Sequence, residues 1–290
     1  MSQFVYHSSE QRRVIHLFRD LVRARELLRD LMTKDLRVRY RYAVMGFLWA
    51  IIEPLALMLV LTFIFTFVFA GRVSVAAGER PYAVELLCGL IFWQFTATAL
   101  TSATNSLIEN QNLVKKVYFA REVVPIAATG YPVVNLAIGF VLLLVVHLLL
   151  GGSLSPALLW FLPVFALHYA LVLGFALLFS CGNVLFRDIG YMVGVAIVFG
   201  FYASPVFYRL DFVMNPAHMP DWMAPYYPWL TKLYLANPMA ELITAYRQVL
   251  FDHRFPDLWL LAWPALLAGM ALVAGAFTFR RIGPTLSDHL

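Results

Sequence analysis

Residues 123–150 read VVPIAATGYPVVNLAIGFVLLLVVHLLL, and residues 156–185 read PALLWFLPVFALHYALVLGFALLFSCGNVL. Neither run contains Asp, Glu, Lys or Arg. A helix rises about 1.5 Å per residue, so about 20 consecutive apolar residues cross the hydrocarbon core of a bilayer. Each run is therefore predicted to be a transmembrane helix.

Four further apolar runs extend this pattern along the chain: Phe47–Ala70, Tyr82–Leu107, Ile189–Tyr208 and Leu258–Phe279. Of the 290 residues, 61% are hydrophobic and only 13% are charged, about half the charged fraction of a soluble domain. The mean hydropathy is +0.74. We therefore predict an all-α integral membrane protein whose six transmembrane helices lie in one domain, residues 47–290.

Lys and Arg residues predict the orientation, because cytoplasmic connections carry the excess of positive charge. Sixteen of them lie on one side of the predicted spans and six on the other. The richer side holds both termini, which are therefore predicted to be cytoplasmic. The net charge is +5, but the basic residues lie beside the apolar runs and not on a soluble face, so this charge does not indicate binding to nucleic acid.

Residues 20–46, which precede the first span, are predicted to form an amphipathic helix at the cytoplasmic interface. Apolar residues such as Leu27 and Leu31 recur at helical spacing, while arginines recur on another face. Such a helix serves either as a general anchor on anionic lipid or as a phosphate-binding element. In the second interpretation, guanidinium groups would hold a diphosphate beside aromatic faces for sugars: Arg37, Arg39, Arg41, Tyr40 and Tyr42. Residues 1–19, an N-terminal extension, are assigned no role.

Two connections are unusual. Residues 109–122 include apolar side chains that a plain loop would not need, so a short helix is expected that docks on a neighbouring span or on a cytoplasmic partner. The outer region, residues 209–257, is rich in Pro and aromatic residues. Asn237 and Pro238 suit the N-cap and first position of a helix. This region is predicted to be re-entrant, or else a surface loop with one interfacial helix.

Polar groups within the predicted spans are few. Glu53 precedes Pro54 near the inner end of the first span, either as a cytoplasmic gate or as part of a helix-bending pair. Small polar residues crowd the inner half of the second span, where they either line a hydrated passage or join helices: Gln94, Thr96, Thr98, Thr101, Ser102, Thr104, Asn105 and Ser106.

Motifs for chemistry are missing from the sequence. No phosphate-binding loop of the G-x-x-x-x-G-K-[ST] type occurs, so the chain is not expected to hydrolyse ATP. No metal site or bound cofactor is expected, and Cys88 and Cys181 are expected to be buried thiols. His147 and His168 have no partner three or four residues away and are expected to be tolerated membrane histidines.

Four stretches, in order along the chain, resemble the type-2 ABC exporter permeases. More narrowly, they resemble the permeases that export O-antigen, capsular polysaccharide and teichoic acid. The stretches are residues 34–54 (KDLRVRYRYAVMGFLWAIIEP), 110–125 (NQNLVKKVYFAREVVP), 186–190 (FRDIG), and 204–208 (SPVFY) with 237–239 (NPM).

This resemblance implies that two copies of the chain pair with two ABC ATPase subunits, which bind the ATP and Mg. It implies ATPase coupling through Asn112, Leu113, Lys115, Lys116, Val117, Tyr118, Phe119 and Arg121, with Arg187 and Asp188 as a second contact. It implies substrate entry beside Arg37, Arg39, Tyr40, Arg41, Tyr42 and Glu53. It places an outer gate at Pro205, Tyr208, Trp229, Asn237 and Pro238.

The expected function is that of a multi-pass permease subunit in the bacterial cytoplasmic membrane, moving lipid-linked polysaccharide in an ATP-driven exporter. Membrane lipids and periplasmic export proteins are expected as further partners. One alternative is a permease for a drug or small lipid. Another is a membrane-embedded enzyme that modifies glycans or lipids, which would need a catalytic carboxylate or histidine pair. The isolated Glu53, Glu85, His147 and His168 do not form such a pair in the sequence.

Overall fold

The computed structural model describes residues 24–40, 48–68, 81–117, 119–216 and 221–290, and these residues form helices joined by turns, without a strand. The predicted all-α class is confirmed for this part of the chain, while residues 1–19 lie outside it. The α-helices are α1 (Arg25–Tyr40), α2 (Trp49–Phe63), α3 (Tyr82–Glu109), α4 (Gln111–Lys116), α5 (Val123–Ala128), α6 (Gly130–Leu149), α7 (Phe161–Leu185), α8 (Asp188–Ala203), α9 (Leu210–Val213), α10 (Tyr227–Leu235), α11 (Pro238–Leu250), α12 (Leu258–Ile282) and α13 (Leu286–His289).

Five helical stretches in the described residues are long and apolar enough to cross a membrane. They are Trp49–Val68, Tyr82–Glu109, Val123–Leu149, Pro156–Leu185 and Leu258–Ile282. Shorter helical turns complete three of them: the π-helical turn Ile64–Val68 extends α2, α5 leads into α6, and the 3-10 turn Pro156–Trp160 precedes α7. The chain is therefore a multi-pass membrane protein that is helical in its described part.

The sixth predicted span, Ile189–Tyr208, is helical only in part. Helix α8 has 16 residues and ends at Ala203, after which the backbone at Ser204 is extended. At about 1.5 Å per residue, α8 measures about 24 Å, short of the hydrocarbon core of about 30 Å. The six-span topology stays a prediction, with the break after Ala203 as the feature that separates this segment from the other five.

Helix α3 is the centre of the bundle and packs against α2, α5, α6, α7, α8 and α11. Its outer half supplies large apolar side chains that are completely buried, such as Leu86, Leu87 and Phe92. Its inner half supplies small residues such as Ala103, Thr104 and Ser106, which let neighbouring helices approach closely. We call the end of the bundle that holds α4 the inner end, and the opposite end the outer end, after the predicted orientation.

A cluster of buried side chains, here called the inner cluster, joins six helices and the inner end of α3. Its members are Leu31, Leu107, Val114, Val123, Val124, Ala127, Leu177, Cys181, Val184, Phe279 and Leu286. Because these residues come from α1, α3, α4, α5, α7, α12 and α13, the short helices at the inner end are part of the packed structure.

Helices α7 and α12 have the most extensive contact of any helix pair in the described residues, and glycines allow their close approach. A Cβ atom on Gly174 would lie 2.7 Å from the backbone carbon of Ala271, and one on Gly275 would lie 2.8 Å from Cβ of Leu177. Backbones in membrane helices gain van der Waals contact when small residues let them approach in this way.

We expect Gly174→Ala to push α7 and α12 apart. Overpacking costs about 1–3 kcal/mol, more than the roughly 1 kcal/mol that alanine gains in helix propensity. The melting temperature of the purified protein in detergent should therefore fall. Gly269→Ala is the control on α12, because nothing lies within 4 Å of its Cβ position; that variant should melt at or above the wild-type temperature. Equal melting of the two variants would contradict this account of the α7–α12 contact.

Candidate functional site

Helix α4 presents a small docking surface at the inner end. Val114 is buried in the inner cluster and is only 2% exposed, so it anchors the helix. The side chains on the opposite, outward face of α4 are exposed: Asn112, Lys115 and Lys116, followed by Val117. An anchored short helix that exposes two cations and an apolar side chain is suited to contact another protein.

The predicted coupling residues divide between this surface and the bundle. Leu113 and Phe119 are half-buried and pack against the inner cluster. Arg121 donates a hydrogen bond to the backbone oxygen of Gly283, so it joins this connection to the end of α12. Tyr118 lies outside the described residues. Leu113, Phe119 and Arg121 therefore attach the α4 segment to the bundle and are not part of its exposed surface.

The turn between α7 and α8 is held by Asn183. Its Nδ2 donates to the backbone oxygen of Thr104 at 3.1 Å and to Oδ1 of Asn105 at 3.2 Å, and its Oδ1 accepts from the backbone N–H of Gly190 at 2.9 Å. The next polar residues, Arg187 and Asp188, are exposed. The predicted second contact thus lies at the inner end, on a turn fixed to α3.

Helix α1 packs on the inner end beside α4. Leu31 enters the inner cluster, and Nζ of Lys34 donates to Oδ1 of Asn110 at 2.6 Å, directly before α4. Arg37 is exposed. Of the other predicted entry residues, Arg39 and Tyr40 form the last turn of α1 with side chains outside the description, and residues 41 and 42 are outside it entirely.

Glu53, the last predicted entry residue, is exposed on α2, and Pro54 behind it is buried. No ion pair to Glu53 occurs among the described side chains. A carboxylate at this depth is costly in lipid and ordinarily faces water or a cation.

At the outer end, residues 204–209 between α8 and α9 are not helical, and we call this segment the break. Side chains supply hydrogen-bond donors to its backbone oxygens. Arg247 of α11 is 6% exposed. Its Nη1 donates to the backbone oxygen of Tyr208 at 2.7 Å. Its Nη2 donates to the backbone oxygens of Val206 at 2.9 Å and Glu85 at 3.1 Å. Irregular backbone at membrane depth is tolerated only where its polar groups are satisfied in this way.

Two more side chains complete the support of this break. Tyr82 donates its hydroxyl to the Phe207 oxygen at 2.7 Å. Asn237 donates its Nδ2 to the Ala203 oxygen at 3.1 Å and to Oγ of Ser204 at 2.8 Å. Gly89 of α3 permits the close approach, because a Cβ there would lie 2.3 Å from the Val206 oxygen.

Four of the five predicted gate residues lie around this break: Pro205, Tyr208, Asn237 and Pro238. Asn237 also caps α11, since its Oδ1 accepts from the Met239 N–H at 3.0 Å, and Pro238 is the first helical residue, as predicted from the sequence. Pro205 is buried in the break, whereas Trp229 on α10 is 76% exposed. The gate residues therefore occupy two layers. One is the break with the start of α11, which is hydrogen-bonded to the bundle, and the other is the exposed helix α10.

Tyr208 links the two layers. Tyr234 of α10 donates its hydroxyl to the Tyr208 hydroxyl at 3.1 Å, and Tyr208 in turn donates to the Tyr202 oxygen at 3.1 Å. Burial first, and then the hydrogen bond to Tyr208, raises the pKa of the Tyr234 phenol far above its usual value. Both groups therefore stay neutral at physiological pH, and the link is insensitive to pH.

An ion pair borders the break on its outer side. Arg209 Nη1 lies 3.2 Å from Oε1 of Glu85, while Asp211 and Asp252 lie 3.6 and 4.0 Å from its Nη2. The roles of Arg247, Arg209 and Glu85 were not predicted from the sequence. The signal available was an arginine among the apolar residues of α11, such as Ile243, Tyr246 and Leu250.

His168 is fully buried, and its partners come from other helices. The Thr96 Oγ1 atom lies 2.7 Å from Nε2, and the Tyr246 hydroxyl lies 3.2 Å from Nδ1. The ring of Tyr246 stacks on Phe92 with centroids 3.6 Å apart. This network joins α3, α7 and α11 and explains a histidine that sequence spacing left without a partner. Among the residues described, no group of three or more His, Cys, Asp or Glu side chains could hold a metal ion.

Comparison with known proteins places the sequence among transport proteins. The chain matches the ABC-2 type transporter family over residues 26–251. It is 30% identical over 249 residues to the O-antigen export system permease protein RfbA of Myxococcus xanthus, covering 84% of this chain and 87% of the relative. It is 28% identical over 228 residues to a protein of the same name from Klebsiella pneumoniae, covering 78% of this chain and 81% of that relative. The matched range includes both the α4 surface and the outer break.

Proposed function

Since the chain belongs to the ABC-2 type transporter family, we propose that it is the membrane-spanning permease subunit of an ATP-driven polysaccharide exporter. The cargo is a lipid-linked polysaccharide carried across the bacterial cytoplasmic membrane. The observation that carries this proposal is the similarity over most of the chain to permeases named for O-antigen export. The five apolar spans and the absence of a phosphate-binding loop from the sequence agree with a transport subunit.

Energy enters, in this proposal, through separate ABC ATPase subunits that bind the ATP and Mg. They dock on the α4 surface, where Lys115 and Lys116 are exposed and Val114 ties the helix to the inner cluster. A push on α4 would reach α3 through Asn110, whose Nδ2 donates to the Ser106 oxygen at 2.8 Å. The exposed turn at Arg187 and Asp188 is the second contact.

Entry of the cargo is assigned to α1 and the start of α2. The exposed guanidinium of Arg37, with Arg39 and Arg41 near it in sequence, suits a phosphate on the lipid carrier. Tyr40 and Tyr42 offer flat faces to sugar rings. These assignments rest on the sequence pattern and on the position of α1 beside α4.

Two copies of the chain enclose the path in this proposal. The support is the outward face of α8, where six large side chains are 62–79% exposed: Tyr191, Met192, Val195, Val198, Phe199 and Tyr202. Exposed Glu53 on α2 also suits a surface that meets water or a second subunit better than one that meets lipid.

Exit is assigned to the outer layer of helices. Helix α10 and the 3-10 turn Asp221–Tyr226 form the movable part, since Trp229 and Trp222 are exposed and Tyr234 is the link to the break. Helix α11 belongs to the fixed part, because Arg247, Tyr246 and Asn237 bind it to three other elements.

Deletion of the chain from its host bacterium tests the proposal. We expect surface polysaccharide to disappear, lipid-linked glycan to accumulate inside, and re-expression to restore display. In vesicles, the purified chain with its co-purifying ATPase should move this glycan when ATP is added, and the chain alone should not. Intact surface polysaccharide together with lost transport of a drug or lipid would contradict the cargo. Transport by the chain alone would contradict the energy source.

A further inference from the structure

One face of the inner half of α3 carries polar side chains and is only partly covered. Gln94, Thr98, Thr101 and Asn105 recur at intervals of three and four residues, so they form a single stripe, here called the α3 stripe. Each of these four residues is half-buried or exposed, although most residues of α3 are buried. Ala97 and Leu100 are half-buried beside them, so the partly covered face of the central helix carries most of its exposed polar side chains.

The same face is covered in the outer half of α3. Leu87 and Leu90 lie seven and four residues before Gln94, and Ile91 lies seven before Thr98, so all three continue the stripe outward. Leu87 is 0% exposed, and Leu90 and Ile91 are 4% exposed. The stripe thus begins near the inner end and stops at Gln94, close to the middle of the helix.

Hydrogen bonding separates Gln94 from the other members of the stripe. Thr98 donates to the backbone oxygen of Gln94 at 2.7 Å, and Thr101 donates to that of Ala97 at 2.8 Å. Asn105 donates to the backbone oxygen of Thr101 at 3.1 Å. These three side chains satisfy their donors on their own helix. The side-chain amide of Gln94 makes no hydrogen bond to any group in the described part of the chain.

Contact with lipid would not suit this arrangement. An amide without a partner costs several kilocalories per mole in hydrocarbon, because lipid tails supply neither donors nor acceptors. Contact with a second protein helix would satisfy the Gln94 amide only where that helix supplied a donor or acceptor opposite it. Water and a hydroxyl-rich chain, by contrast, hydrogen-bond an amide and a row of hydroxyls equally well.

We propose that the α3 stripe lines the water-filled path of the cargo, and that the Gln94 amide, at its closed end, hydrogen-bonds hydroxyl groups of the passing glycan. The second half of this inference rests on the proposed function, whereas the first half concerns hydration alone. Gln94 is thereby a specificity-determining contact for polyhydroxylated cargo.

Cysteine labelling tests the hydration. A water-soluble maleimide reacts with the thiolate, which forms in water and not in hydrocarbon. We expect Thr101→Cys and Gln94→Cys to react at least about tenfold faster than Val273→Cys. Val273 is the control, because it is 71% exposed on α12 and lies nine residues before the inner end of that helix, much as Thr101 lies eight residues before the inner end of α3. The wild-type chain is the blank, since Cys88 and Cys181 are buried. Equal labelling of stripe and control would overturn the proposal.

Export rates test the contact. Gln94→Leu should slow the display of surface polysaccharide about tenfold, whereas Gln94→Asn, which keeps the amide, should retain most of it. Unchanged export by Gln94→Leu would overturn the contact, even where labelling supports hydration. Polysaccharide display that survives deletion of the whole chain would contradict the proposed function instead, and labelling would still report on the stripe.

Discussion

Replacement of Arg247 by Met should destabilise the protein by about 3–5 kcal/mol, because the change removes the donor of carbonyl groups that have no helical partner. Arg247 donates to the backbone oxygens of Tyr208, Val206 and Glu85, and the first two lie in the non-helical segment after α8. Methionine fills a similar volume but cannot donate. Fluorescence-detected gel filtration after heating should show the loss as a lower melting temperature and a smaller folded fraction.

Arg254→Met provides the control for this change. Arg254 is an exposed arginine only seven residues further along the chain, so its loss should shift the melting temperature little. Arg247→Lys should fall between the two, because an ammonium keeps the charge and lacks the planar fork that reaches several carbonyls at once. Wild-type melting of Arg247→Met would show that the break after Ala203 does not depend on this side chain.

Charge reversal on the α4 surface should have the second large effect. Lys115→Glu and Lys116→Glu are each expected to reduce polysaccharide display about tenfold or more, since a loss of about 1.4 kcal/mol in docking weakens binding tenfold. Less ATPase should co-purify with each variant. The folded state should be unaffected, because both side chains are exposed and Val114 still anchors the helix.

The same reversal at the opposite end of the bundle is the control. Arg254→Glu changes an exposed cation in the connection between α11 and α12, and both display and co-purification should stay at wild-type levels. Normal display and normal ATPase recovery in both lysine variants would remove α4 from the energy-coupling role.

Predictions from local pattern succeeded where a single element carried the cause. The N-cap at Asn237 followed by Pro238 is an example, since cap and helix are neighbours in sequence. The apolar side chains of residues 109–122 predicted a short docked helix, and they left its docking site open. In the structure, Val114 and Leu113 dock on the bundle while Lys115 and Lys116 face outward.

Contacts across long separations were not predictable in this way. His168 was predicted to be a tolerated membrane histidine, because spacing along one helix was the only criterion, and its partners Thr96 and Tyr246 lie 72 and 78 residues from it. Arg247 was counted only as a positive charge in an outer loop. Its acceptors lie between 39 and 162 residues away, and nothing in the α11 sequence names them.

The sequence alone determined the membrane class, the long spans and the basic asymmetry of the connections, because bilayer thickness and charge act on each segment separately. The tertiary structure decided that α8 stops at Ala203 and that Arg247 supports the break after it. It also decided which face of α3 stays partly uncovered. Those features depend on polar atoms that become neighbours only when distant helices pack, since a buried donor or acceptor must find its partner wherever the fold brings one within reach.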